Sequence, residues 1–130
     1  MVDINKLSSG DYWKHLGMTL EWEADTVVVK MAKLEETTQV YGNIHGGALA
    51  GLVDSAIAVA INRQLPENYG AFTVEMKINY LRPAKGELVA RGKVIQKGKK
   101  IIVGQGEAFD QDGKMVAYGT ATFMVIPPEG

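Results

Sequence analysis

The chain has 130 residues, 46% hydrophobic and 22% charged, which is typical of one folded domain, here expected to span residues 1–130. Its 14 basic and 15 acidic residues give a net charge of −1, which argues against a nucleic-acid-binding protein, because such proteins normally carry excess positive charge. The sequence has no cysteine, so disulfides, thiolate nucleophiles and cysteine-based metal sites are excluded, and a cytoplasmic location is expected.

The first third of the chain predicts a short helix, a β-hairpin and a loop. Residues 8–17 (SSGDYWKHLG) indicate a short capped helix that ends at its final glycine. The segments 19–23 and 26–33 alternate in polarity or are rich in β-branched residues, and residues 24–25 supply a turn between them. The polar stretch 35–43 follows as a loop.

An almost wholly apolar segment at 45–62 is predicted to be a helix, and residues 65–68 (LPEN) end it. A helix that is apolar on all sides in a chain of this composition is expected to be a buried core helix. We do not expect it to span a membrane, because Asp54 would lie near the bilayer centre and the flanks lack aromatic or basic anchors.

Four strand-like segments follow the predicted helix, each bounded by turn residues. They cover residues 72–81, 87–96, 101–109 and 115–126. Alternation within the first of them places Thr73 on a polar face, opposite the face of Val74 and Met76. The predicted order is β-β-α-β-β-β-β, an α+β architecture. Because the helix is apolar all round, either the sheet curls around it or a partner chain covers it.

The spacing of His45 and Asp54 bears on how a site could be built. Nine residues place them about 180° apart around a helix and about 13 Å along it, so in one chain they cannot act on the same atom. If both belong to one site, a second chain supplies the carboxylate, as in a two-fold dimer. An isolated buried carboxylate costs several kcal/mol, which indicates functional use. A structural acid bonded to backbone or to a serine is the alternative.

Two glycines, Gly46 and Gly47, begin the predicted helix, where backbone N–H groups lack partners and the helix dipole is positive. With no side chain in the way, a carbonyl oxygen could approach these N–H groups closely, as an oxyanion hole requires. Close packing is the alternative use of the pair. For His45 two roles are open: capping of the helix start or contact with a substrate.

The segment 39–47 (QVYGNIHGG), with Asp54 nine residues after the histidine, resembles the hotdog acyl-CoA thioesterases of the PaaI-like, phenylacetate-degradation group. The similarity extends through 74–84 (VEMKINYLRPA) and 94–99 (VIQKGK). The resemblance implies the hotdog fold, a curled antiparallel sheet of about six strands wrapped around one long buried helix. It also implies a cofactor-free hydrolase that converts an acyl- or aryl-acyl-CoA to a carboxylate and free CoA.

The resemblance further implies roles for individual residues. The Gly46 amide would polarise the thioester carbonyl, and Asp54 of the partner subunit would act as nucleophile or as general base on water. Thr73 lies where the family places a Ser or Thr that orients the water, and an ordinary strand residue is the alternative. Gln39 lies where many members carry Asn, a second donor to the carbonyl, and Asn43 is the nearest alternative donor.

The remaining expectations concern binding and assembly. The predicted substrate-binding residues are His45, Gly47, Asn43, Arg82, Lys97 and Lys99. Arg82, Lys97 and Lys99 are candidates to bind the phosphates of CoA. The alternative is that they are ordinary solvated residues of turns. Small residues on the helix face of Asp54 would leave room for an acyl group or a neighbouring helix; that face is expected to carry Gly47, Ala50, Gly51, Ile57, Ala58 and Ile61.

No metal site is expected, because two histidines far apart in sequence make a poor ligand set. At least a homodimer is expected, and the resemblance alone implies a homotetramer built as a dimer of dimers. Neither nucleic acid nor membrane is expected as a partner. The main alternative function is a non-catalytic acyl-CoA binding or sensing module. A hydratase or dehydratase of acyl thioesters ranks lower, because its acid–histidine patterns are not found.

Overall fold

The computed structural model describes residues 4–23, 26–34 and 37–129. Its elements, in chain order, are α1 (Ile4–Leu7), α2 (Asp11–Leu16), β1 (Met18–Glu23), β2 (Thr26–Met31), α3 (Gly46–Asn62), β3 (Gly70–Tyr80), β4 (Leu88–Lys97), β5 (Ile101–Phe109) and β6 (Met115–Ile126). The predicted α+β order is confirmed, and the bounds of β5 and β6 agree with the prediction. The short helix α1 was not predicted. The predicted turn at residues 24–25 and loop residues 35–36 lie outside the described residues.

Six strands form a single antiparallel sheet in the order β1-β2-β4-β5-β6-β3. The predicted hairpin is present, since β1 pairs with β2 up to Glu23 and Thr26. The strands β4, β5 and β6 are joined by short turns and pair with their neighbours in sequence. After α3 crosses the sheet, β3 pairs only with β6, so β1 and β3 are the two edge strands of the described sheet.

The long helix α3 packs against five strands, β2 to β6, and its large side chains Leu52, Val53 and Ile57 are fully buried. Glycines allow the sheet to approach it closely. A Cβ at Gly92 of β4 would lie only 2.1 Å from the carbonyl oxygen of Ala56 in α3. Strand β5 approaches in the same way at Gly106, where a Cβ would lie 3.0 Å from Val53. The curled sheet around a buried helix confirms the predicted hotdog fold.

One side of α3 remains outside the sheet. It consists of Gly47, Ala50, Asp54 and Ala58, which are partly or fully exposed, and we call it the exposed helix stripe. The predicted face of Asp54 was partly wrong. Ile57 and Ile61 are fully buried because they point to the sheet, and Gly51 contacts α2, where a Cβ would lie 2.8 Å from Leu16.

A β-bulge in β3 changes which face its residues occupy. Thr73 pairs with Phe123, but Glu75 pairs with the preceding residue on β6, so Val74 is an extra residue in the strand. Thr73 and Met76 therefore both face the helix, since their partners on β6, Phe123 and Ala121, are buried there. The predicted alternation, which put Thr73 and Met76 on opposite faces, was wrong because an inserted residue shifts the two-residue period.

The helices of the described ranges were also compared with the thickness of a lipid bilayer. The longest, α3, has 17 residues, and in this part of the chain no helix has the length and apolarity needed to cross a membrane.

Candidate active site

His45 pairs most of the backbone N–H groups at the start of α3. His45 caps the helix: its Nδ1 accepts a hydrogen bond from the Gly47 N–H at 2.8 Å, and its carbonyl accepts from Ala48 and Leu49. Among the described residues, none accepts from the N–H of Gly46. Of the two roles left open for His45, capping is present, and in the described part of the chain the Gly46 amide stays available to a ligand.

The Gly46 amide lies beside a cavity of about 460 Å³. This cavity is lined by Gln39, Asn43, Gly46, Tyr80 and Arg82, among others. Four of these five were predicted as site residues. A tight turn at residues 39–43 leads directly into α3, and the segment after β3 that carries Arg82 is joined to it where the Ile44 N–H donates to the Ala84 carbonyl at 2.8 Å.

Hydrogen bonds inside that turn set the orientation of its amide side chains. The Gln39 N–H donates to the Asn43 carbonyl at 2.7 Å, and the side-chain oxygen of Gln39 accepts from the Tyr41 N–H at 3.1 Å. The NH₂ group of Gln39 is thus the part left to donate to a ligand. The side-chain oxygen of Asn43 is buried, and no described residue donates to it.

Asp54 and Thr73 form a second group. The Thr73 hydroxyl donates to Oδ1 of Asp54 at 2.7 Å, and the other carboxylate oxygen has no partner among the described residues. Burial raises the pKa of Asp54 above its ordinary value, and the hydrogen bond from Thr73 opposes this by lowering the pKa. The donor is a threonine hydroxyl of β3, not the backbone or the serine that the structural alternative named.

The two groups do not meet within one chain. Gly46 and Asp54 are eight residues apart on one helix, a rise of about 12 Å, and Asp54 does not line the cavity beside Gly46. The structure of a single chain therefore contains an amide group at Gly46 and a carboxylate group at Asp54 at separate places.

The predicted CoA-phosphate cations are also separated. Arg82 lines the cavity at the start of α3, whereas Nζ of Lys97 donates to the Gln64 carbonyl beyond the other end of the helix at 2.9 Å. Lys99 lies exposed in the turn between β4 and β5. The 17 residues of α3 span about 25 Å, so in one chain these lysines and Arg82 cannot hold the same phosphate.

The structure adds one residue that the sequence did not reveal. The hydroxyl of Tyr80 on β3 donates to the Gly46 carbonyl at 3.0 Å, and its ring lies 3.5 Å from where a Cβ on Gly46 would be. The two residues are 34 positions apart, so no local pattern could indicate their contact.

Other features of the described residues were searched for ligand sites. No group of three His, Asp or Glu side chains in these ranges is placed to hold a metal ion. A larger cavity, about 740 Å³, lies at the far end of α3 beside Asn62, Tyr69 and Ala71, and none of the predicted site residues lines it.

The chain was compared with known families and proteins. Residues 41–117 match the thioesterase superfamily. A Halobacterium salinarum protein that carries an esterase name is 33% identical over 93 residues, covering 65% of this chain and 62% of its own length. Human acyl-coenzyme A thioesterase 13 is 35% identical over 101 residues, covering 74% of this chain and 70% of that protein.

Two solved structures are similar over most of the fold. The PaaI protein of the E. coli phenylacetic acid degradation operon superposes with a TM-score of 0.85 and 27% identity, covering 95% of this chain and 90% of that one. The BH2602 protein of Bacillus halodurans, solved with CoA, has a TM-score of 0.74 and 33% identity, covering 76% of this chain and 66% of that one. The predicted resemblance is confirmed. The family match covers more than half of the 130 residues, and the chain belongs to the thioesterase superfamily.

Proposed function

We propose that this protein is an acyl-CoA thioesterase. The observation that carries the proposal is the pair of complementary halves. One is a Gly46 amide at a helix start with no acceptor among the described residues, and the other is an Asp54 carboxyl group held by Thr73, with its pKa raised. Membership of the thioesterase superfamily supports the reaction class. The acyl-CoA thioesterase name of the human relative, and the CoA bound in the Bacillus halodurans structure, support CoA thioesters as substrates.

The two halves are proposed to combine across a homodimer. The exposed helix stripe keeps Asp54 accessible on the surface of the single chain. Next to it, β3 ends the sheet with an unpaired edge, on which Phe72 and Val74 are 48% and 51% exposed. Exposed apolar edge strands invite pairing with another chain. A two-fold axis along this side would bring Asp54 of each chain towards Gly46 of the other and form two equal sites.

In the proposed reaction the thioester carbonyl oxygen accepts a hydrogen bond from the Gly46 N–H, with the Gln39 amide as a second donor. The ionised Asp54 of the partner either attacks the carbonyl carbon or removes a proton from a water that attacks it. Thr73 donates a hydrogen bond to one carboxylate oxygen of Asp54, and the other oxygen attacks the carbonyl carbon or removes the proton. The carbon–sulfur bond breaks, water supplies the new carboxylate oxygen, and the thiolate leaves as CoA. Arg82, at the mouth of the same cavity, is the proposed charge partner for CoA phosphate.

The proposal is tested by CoA release from a panel of aromatic and straight-chain acyl-CoAs. The chain has no cysteine, so a thiol-reactive dye reports only the product. We expect the wild type to turn over and Asp54→Asn to lose about 10²- to 10⁴-fold in kcat, the range attributed to acid–base groups.

The matched control is Asp112→Asn, which changes an exposed acid in the β5–β6 turn and should leave kcat unchanged. Full activity of a folded Asp54→Asn dimer would contradict the assigned role. Tight CoA binding without turnover by the wild type would instead support the binding or sensing module.

A further inference from the structure

The peptide group between Gly46 and Gly47 is held at both of its polar atoms. Its carbonyl accepts from the Tyr80 hydroxyl at 3.0 Å, and its N–H donates to His45 Nδ1 at 2.8 Å. A peptide group is planar, so fixing both atoms fixes the rotation of the plane. Glycine has the widest backbone freedom of any residue, so these two contacts add to the restraint that the first turn of α3 places on the Gly-Gly pair.

Tyr80 also limits where the Gly46 backbone can move. Its ring lies 3.5 Å from the position that a Cβ on Gly46 would take, so ring and hydroxyl contact Gly46 on two sides. The side chain is 53% exposed, and its burial therefore contributes little to the hydrophobic core. The contacts of Tyr80 therefore restrain the start of α3 more than they stabilise the fold.

The strand that carries Tyr80 also carries Thr73. Both residues lie on the face of β3 that points to α3, since their partners on β6, Ala117 and Phe123, are buried. Thr73 contacts Asp54 and Tyr80 contacts Gly46, so one strand contacts α3 at each of the two groups that the proposed reaction needs.

We propose that Tyr80 is a positioning residue for the reaction: its hydroxyl fixes the Gly46–Gly47 peptide so that the adjacent Gly46 N–H stays aimed at the thioester carbonyl oxygen. This inference rests on the proposed function. It assigns Tyr80 no contact with the reacting atoms. Its effect is on transition-state stabilisation, which requires preorganised donors.

The kinetic test compares Tyr80→Phe, which removes only the hydroxyl, with the wild type. We expect kcat to fall about three- to tenfold, the effect of one net hydrogen bond, while KM and inhibition by free CoA stay unchanged. Tyr80→Ala removes the ring as well and should lower kcat further. The control is Tyr118→Phe, whose hydroxyl lies 3.4 Å from the Gln105 side chain and away from Gly46, and its kcat should equal that of the wild type.

The structural test uses nitrogen-15 glycine labelling, which reports the 15 glycine amides of the chain. In Tyr80→Phe the Gly46 and Gly47 signals should shift and the Gly47 amide should exchange with solvent faster, whereas Tyr118→Phe should leave both unchanged. The inference is overturned by unchanged kcat in Tyr80→Phe, or by a lower kcat with unchanged Gly46 and Gly47 signals. If the wild type hydrolyses no thioester, the proposed function fails, and the glycine signals alone decide whether Tyr80 holds the peptide.

Discussion

Asp54 experiences two opposing influences on its charge. Its place on the exposed helix stripe is partly buried by the packed strands, which raises the pKa, while the Thr73 hydroxyl favours the ionised form and lowers it. A carboxyl group that must be ionised to react benefits from the second influence. Thr73 therefore has a role in tuning Asp54, besides the expected role in orienting water.

This tuning predicts a change in the pH dependence of activity. Protonation of Asp54 removes the reactive form, so kcat/KM should fall on the acid side of its pH profile. Thr73→Val removes the interaction that lowers the pKa of Asp54, and the acid limb should move to higher pH. Thr73→Ser keeps a hydroxyl and should leave the limb near the wild-type position. A Val variant whose limb stays in place or moves to lower pH would show that Thr73 does not tune Asp54.

Gly46, Asp54 and Thr73 could be predicted as site residues from the sequence, because each carries a local signal or matches a family motif. His45 was left with two roles, and only the distance from its Nδ1 to the Gly47 N–H distinguishes capping. Tyr80 could not be found in this way. Its contact with Gly46 depends on how β3 lies across α3, which is a property of the folded chain.

Among the helices and strands, the close contact between α3 and the sheet depends on glycine residues in the strands. At Gly92 the backbone of β4 meets the backbone of α3, and a Cβ there would lie 2.1 Å from the Ala56 carbonyl oxygen. A rigid carbonyl cannot move aside as a flexible side chain can. The backbone of β4 can thus approach α3 this closely only because position 92 has no side chain.

Gly92→Ala should therefore destabilise the fold. Overpacking usually costs about 1–3 kcal/mol, and a clash with backbone should reach at least the upper end of that range. The measurement is the denaturant midpoint at unchanged m-value. The matched control is Gly70→Ala at the start of β3, where a Cβ would meet nothing within 4 Å, and its midpoint should stay near that of the wild type. Equal midpoints for the two variants would contradict the backbone contact at Gly92.

The elements were predictable where the hydrophobic period is long and uninterrupted, as in α3, β5 and β6. The bulge at Val74 was not, because a valine in an alternating segment looks like any other strand residue. The shifted period turns Thr73 towards Asp54, whose Oδ1 accepts a hydrogen bond from the Thr73 hydroxyl. The four-residue helix α1 is too short to give a periodic signal.

At the scale of the whole molecule, the two groups of the proposed site are separated within one chain. The amide half at Gly46 and the acid half at Asp54 lie about 12 Å apart along one helix. The spacing of His45 and Asp54 already indicated such a division. The surface proposed to meet a second chain could not be predicted from sequence, because the proposal depends on β3 lying at the edge of the described sheet.

The shared site can be tested with two variants that each remove one half. Asp54→Asn removes the acid. Gly46→Pro removes the amide N–H at the first position of α3, where proline fits a helix well. The preceding His45 has φ −58° and ψ 136°, a conformation compatible with a following proline. Gly46→Ala keeps the N–H and, with a Cβ at ordinary contact distance from Tyr80, should remain active.

The decisive measurement is thioesterase activity after Asp54→Asn and Gly46→Pro chains are unfolded together, mixed in equal amounts and refolded. Half of the dimers should be mixed, and each mixed dimer should contain one intact site from the unaltered Gly46 of one chain and the unaltered Asp54 of the other. Recovery to about a quarter of wild-type activity is expected from two variants that are each inactive alone. A refolded mixture of dimers as inactive as its components would contradict it.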